Sequence, residues 1–166
     1  MQKAGNLQGN WRRNVVFFLI VLLVVVADQL SKLWIRSNLL VWQSLPEEGF
    51  FRLTHVRNTG ASFGLFQDQS FALTIVAIVG IALILVYALI IHPRFFPSDN
   101  LLGKSALGLI LGGTIGNLID RLHFGYITDF IDIGIWPTFN IADSSIVVGA
   151  IIFAYSLLRL ARAEKH

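Results

Sequence analysis

Four stretches of this chain are too long and too apolar to belong to a fold that closes its core against water. They run from about Val15 to Ile35, from Phe71 to Ile91, from Leu101 to Ile119 and from about Ala142 to Leu160. Crossing roughly 30 Å of hydrocarbon takes about 20 helical residues at 1.5 Å each, and each stretch meets or nearly meets that length. Composition agrees, since 55% of the 166 residues are hydrophobic and only 14% are charged. Soluble domains carry about 25% charged residues. The expected fold is an all-α integral membrane protein with four transmembrane helices, one membrane domain over residues 1–166.

The segments between the spans differ in kind. Residues 92–100 hold two prolines and read as a short turn between helices. Residues 36–70 and 120–141 are longer and more polar, and belong on the opposite face. The side of the termini and the short turn holds Lys3, Arg12, Arg13, Arg94, Lys104, Arg159, Arg162 and Lys165 against Asp99 and Glu164. Basic excess marks the cytoplasmic side, so both termini are expected inside. Trp34, Trp42, Tyr126 and Trp136 fall near the outer span ends, at headgroup depth. Arg12-Arg13 with the run ending Val25-Val26-Ala27 imitates a cleavable signal, but apolar character resumes after Lys32, which favours a retained span.

A net charge of +3 does not indicate nucleic acid, because the basic residues flank the spans instead of forming one surface. With no cysteine, disulfides and thiolate metal sites are excluded. His55, His92, His123 and His166 are scattered and form no zinc motif. Ser62, Ser144 and Ser145 lack a nucleophile elbow. No metal or cofactor is expected.

Unusual residues gather at the outer ends of the spans. Asp28 and Lys32 share a helical face at i and i+4. Asn117, Asp120 and Arg121 end the third span, and Asn140 and Asp143 begin the fourth. Ionisable groups beside a span are costly and point to function. Gly108, Gly112 and Gly116 make a smooth stripe on span three that admits a neighbouring backbone. Each acid also has a plainer role. Asp28 reads as the partner of Lys32, Asp120 as the neighbour of Arg121, and Asp143 as part of a helix cap with Asn140. Asp132 reads as an exposed loop acid and His55 as a strand-edge residue. Asp129 lies in the apolar run Ile127-Thr128-Asp129-Phe130-Ile131, where burial favours the protonated carboxyl. Two aspartates sharing a proton give a metal-free route to peptide hydrolysis. Burial alone does not choose between Asp120 and Asp129. A small proton- or cation-coupled transporter would use the same carboxylates, though at mid-membrane on broken spans.

Five blocks carry a resemblance. They are Asp28-Gln29-Leu30-Ser31-Lys32, Arg57-Asn58-Thr59-Gly60-Ala61-Ser62-Phe63-Gly64, Gly112 through Arg121, Thr128-Asp129-Phe130-Ile131, and Phe139-Asn140-Ile141-Ala142-Asp143-Ser144. With these in order between four spans, the chain resembles the bacterial lipoprotein signal peptidases, the membrane aspartyl peptidases. The resemblance implies a small extracytoplasmic β-sheet cradle and an active site at the extracytoplasmic face of the inner membrane. It implies cleavage of diacylglyceryl-modified prolipoproteins just before the lipidated cysteine. It makes Asp129 and Asp143 the catalytic pair, with Asp28, Lys32, Asn58, Gly60, Asn117, Asp120, Arg121, Asn140 and Ala142 in supporting positions. The partners it implies are prolipoprotein and membrane lipid, and a monomer suffices. Phe51, Leu53 and His55 alternate with Arg52, Thr54 and Val56, as a half-buried strand does, and Phe63, Leu65 and Phe66 are placed over the substrate. Thr128 stands where the family often has valine, and the connection from Asp129 to Asn140 is short.

Overall fold

The computed structural model describes residues 2–60, 69–91 and 101–163, with side chains from Trp11 to Arg162. Phe63, Leu65, Phe66 and the turn at 92–100 lie outside the described residues. Four long helices contain the four apolar stretches: α1 (Gln2–Asn38), α2 (Ser70–Val86), α3 (Leu101–Phe124) and α4 (Ile141–Ala163). Helix α2 runs on through a π-helical turn at Tyr87–Ile91. Large apolar side chains such as Leu22, Leu23, Val76, Leu83, Ile151 and Leu158 face outward. That arrangement costs nothing where the surroundings are lipid. All four helices are long and apolar enough to span a bilayer.

Helix α3 is the hub. Just over half of its apolar stretch is buried by protein, against a small fraction in each of the others. Glycine is the reason it can be surrounded so closely. A Cβ added to Gly112 would lie 2.8 Å from that of Val24 on α1. One added to Gly116 would lie 2.6 Å from Asp28 Oδ2, and one on Gly113 would collide with the Ala142 carbonyl of α4. Helix α4 returns the fit through Gly149, where a Cβ would come within 2.8 Å of the Ala106 carbonyl. Without a hydrophobic drive between helices in lipid, such close contact supplies the dispersion energy of association.

The outer segments form a three-stranded antiparallel sheet in the order β1 (Ser44–Leu45), β2 (Arg52–Asn58) and β3 (Ile127–Asp132). Val56 pairs with Asp129 and Asn58 with Ile127, while a bulge interrupts the register between Leu53 and Val56. Ile35 of α1 and Leu39 just beyond its end pack with Phe130 of β3, which seats the sheet on the helices.

Three expectations are corrected here. The bulge breaks the expected alternation, so Thr54 and His55 are both buried while Phe51 is exposed. His55 sits on the middle strand, not an edge. Asp132 is no exposed loop acid: it ends β3, is buried, and pairs with Arg52 at 2.7 Å while accepting from the Thr54 hydroxyl at 2.9 Å. Burial pushes its carboxyl up, but the Gly134 N–H, Thr54 and Arg52 outweigh that and hold it below the usual carboxylate range.

Helix α3 continues past Ile119, because Asn117 and Asp120 face other helices instead of water. It stops at Gly125, whose φ of +77° is left-handed and whose N–H closes on the Arg121 carbonyl at 3.0 Å. The short connection from β3 to α4 folds back on itself, with Phe139 bridging Ile131 in both directions.

Close helix contact predicts opposite responses at two glycines. Gly113→Ala should cost about 2 kcal/mol or more through overpacking, lowering the unfolding midpoint in detergent. Gly80 has open space where a Cβ would go, so Gly80→Ala should stabilise by about 0.5–1 kcal/mol.

Candidate active site

The deepest layer is a buried ion cluster. Lys32 is fully buried and its Nζ lies 2.8 Å from Asp28 Oδ2, 2.9 Å from Asn117 Oδ1 and 3.5 Å from Asp120 Oδ2. Asp28 takes a further hydrogen bond from the Ala142 N–H at 3.0 Å, in the first turn of α4, where the helix favours negative charge. Ala142 is fully buried with its Cβ towards Gly116, so a larger side chain has no room. Asp120 Oδ2 accepts from the Thr128 N–H at 2.8 Å, fastening β3 to α3. Its ion pairs are with Lys32 and Arg36, not with its neighbour Arg121. Arg121 instead donates to the Gly60 carbonyl at 3.1 Å, and Gly60 N–H donates to Asn58 Oδ1 at 2.9 Å.

Three further residues belong to this layer without standing out in the amino-acid order. Gln29 Nε2 donates to the Gly116 carbonyl at 3.0 Å and to Asp28 at 3.2 Å. Arg36 NH1 donates to Thr128 Oγ1 at 3.0 Å and stacks over Phe124. Thr128, noted only as a departure from valine, supplies that acceptor. Arg36 continues the Asp28–Lys32 ladder by one more step of four, a signal that was available in the sequence.

Above this layer two asparagines carry the order upward. An ammonium only donates, so Asn117 must turn its oxygen to Lys32 and its NH₂ away. That NH₂ donates to Asp143 Oδ1 at 2.8 Å. Asn117 Oδ1 also receives Asn140 Nδ2 at 3.1 Å, and the same Asn140 amide donates to Asp129 Oδ1 at 2.7 Å. Asp129 Oδ2 accepts from Asn58 Nδ2 at 2.9 Å. Asn140 and Asp143 form a reciprocal helix cap. Asp143 N–H donates to Asn140 Oδ1 at 2.8 Å, while Asn140 N–H donates to Asp143 Oδ2 at 3.3 Å. Asn140 therefore touches both aspartates at once.

Asp129 and Asp143 line one cavity of about 780 Å³, with Asn58, Gly60, Asn117 and Arg121 on the same surface. Trp42, Trp136 and Val147 line it further out. Asp129 is buried and Asp143 partly open. Burial pushes the Asp129 carboxyl up, the neighbouring Asp143 charge pushes it further, and the net position is about 7. A polar floor with one acid able to hold a proton near neutrality, beneath apolar walls, suits general acid–base chemistry on an amphipathic substrate.

A family profile described as Signal peptidase (SPase) II matches residues 20–159. The chain belongs to the signal peptidase II family. A lipoprotein signal peptidase of Moorella thermoacetica is 46% identical over 143 residues, covering 86% of this chain and 92% of that one. One from Dehalococcoides mccartyi is 48% identical over 139 residues, covering 84% and 86%. A solved structure described as a bacterial membrane enzyme superposes with a TM-score of 0.77 at 31% identity, covering 86% of this chain and 87% of that one. A second reaches 0.74 at 32% identity, covering 86% and 92%. Membership makes the chain a peptidase, and with its four apolar helices a multi-pass protein of the bacterial inner membrane. The transporter alternative falls with it.

The Asp129 shift has a consequence for stability. Its folded-state value lies above the ordinary 3.8, so the folded protein keeps a proton that the unfolded chain releases. Stability from this group is therefore fullest below about pH 4 and is lost as pH rises towards about 7. Asp129→Asn cannot titrate. Thermal unfolding in detergent should show the wild type losing more stability than this variant across that window.

Proposed function

We propose that this chain is an aspartyl endopeptidase that removes signal peptides from diacylglyceryl-modified prolipoproteins, cleaving just before the lipidated cysteine. The observation that carries the reading is the bridging amide of Asn140, hydrogen-bonded to Asp129 while its own backbone caps onto Asp143. It holds two carboxyls of unequal burial at one cavity in a peptidase fold.

The unequal settings suggest unequal roles. Asp129 keeps a proton up to about pH 7. Asp143, in the first turn of α4 with donors on both oxygens, is the ionised partner. Asp143 takes a proton from water while the water oxygen bonds to the scissile carbonyl carbon, and Asp129 gives its proton to the carbonyl oxygen. The tetrahedral diol then breaks its C–N bond. The leaving nitrogen takes the proton from Asp143, and one hydroxyl proton returns to Asp129, restoring both acids. Fixed geometry of this kind can supply roughly 7–11 kcal/mol of a barrier. Lys32, Asp28 and Asp120 support the floor, Asn117 and Asn140 orient the acids, and Asn58, Gly60 and Arg121 shape the wall. Both termini lie in the cytoplasm, so the cavity opens at the extracytoplasmic boundary, where the substrate's signal helix stays in lipid while its scissile bond meets water.

Incubating the purified protein with a diacylglyceryl-cysteine prolipoprotein should release the signal peptide. Asp129→Asn and Asp143→Asn should fold yet lose about 10²–10⁴-fold or more in rate, whereas Glu48→Gln, at an exposed outer acid, should not change it. The rate should fall as pH rises through about 7, as Asp129 loses its proton. Retained turnover in either aspartate variant removes that residue from the pair.

A further inference from the structure

Trp42 stands at odds with its backbone. Its φ is +69°, in the left-handed region that side chains avoid and glycine accepts freely. Leu40 and Gln43 close the turn around it, with Gln43 N–H on the Leu40 carbonyl at 2.9 Å. Trp42 is the third residue of that turn, the position where a positive φ calls for glycine. The ring does not compensate by packing into a core, for the residue is 72% exposed. The turn is instead held from outside. Trp42 N–H donates to the His55 carbonyl at 2.8 Å, His55 N–H to the Gln43 carbonyl at 3.1 Å, and His55 Nδ1–H to the Leu39 carbonyl at 2.9 Å. Gln43 Oε1 takes the Leu40 N–H at 2.9 Å. Buried His55 thus clamps the turn from the middle strand of the sheet.

What this strained turn delivers is an indole on the wall of the cavity that holds Asp129 and Asp143. Backbone strain held in place by its surroundings, presenting an exposed aromatic to a reactive cavity, is a sign of function. We infer that Trp42 is a substrate-binding residue whose ring covers the lipid-modified residue beside the scissile bond. An indole, with an apolar face and one N–H donor, matches a group that is part hydrocarbon and part ester. The inference rests on the peptidase reading above.

The test compares wild type, Trp42→Gly and Trp42→Phe on a synthetic diacylglyceryl-cysteine lipopeptide in detergent, measuring kcat, KM and unfolding midpoint. Glycine relieves the strain, so Trp42→Gly should hold or raise the midpoint while KM rises about tenfold, in line with loss of one aromatic contact; kcat should change little. Trp42→Phe keeps a ring and should stay within about threefold of the wild-type KM. If the wild type cleaves and Trp42→Gly shows an unchanged KM, the ring is only an interfacial anchor and the inference is overturned. A lowered midpoint in Trp42→Gly also overturns it, since the residue would then be structural. A wild type that does not cleave the lipopeptide defeats the peptidase reading itself.

Discussion

A single ammonium group in a place without water organises the molecule. Lys32 has no exposed surface, and an unpaired charge there would be severely penalised. Its contacts with Asp28, Asp120 and Asn117 are therefore obligatory, and they bind α1 to α3 at one depth and one rotation. The penalty for separating these groups is what makes the arrangement unique. The glycine contacts of α3 bring the helices close, and the ion cluster adds a penalty for any register that separates its charges.

From that fixed point, order passes to the cavity through hydrogen-bond direction. Lys32 sets which way the Asn117 amide faces, and the amide decides which atom meets Asp143. Asn140 repeats the logic towards Asp129. An amide that could flip would offer each carboxyl an oxygen as readily as a donor, and the two acids would lose their distinct settings. The glycines of α3 serve the same end. A Cβ at Gly116 would occupy the space that Asp28 needs in order to reach both Lys32 and the Ala142 amide.

Much of this is legible in the amino-acid order, for reasons that differ from part to part. The four spans declare themselves because lipid demands unbroken apolar runs, a local property. The pairing of Asp28 with Lys32 is legible because a helix fixes the i to i+4 relation. Asp132 is not, since its partners Arg52 and Thr54 lie some eighty residues away in the chain and meet it only through strand pairing. The middle place of His55 is not legible because β2 pairs on one side with a strand some seventy residues further along the chain, and the bulge that buries both Thr54 and His55 leaves no mark in composition. Helix α3 runs on to Phe124, beyond the apolar stretch, because Asn117 and Asp120 find partners on neighbouring elements that their positions in the chain do not announce. Asp129 and Asp143 were singled out by resemblance. Physics read from the chain alone described both without selecting them from among the other acids.

The position of Asn140 has one more implication. It stands at the start of α4, yet it braces an aspartate on β3, a strand that precedes that helix in the chain. Before α4 is made, Asp129 lacks that brace and Asp143 has not been delivered. On the proposed reading of the two aspartates, a growing chain would therefore carry no complete acid pair until α4 is in place.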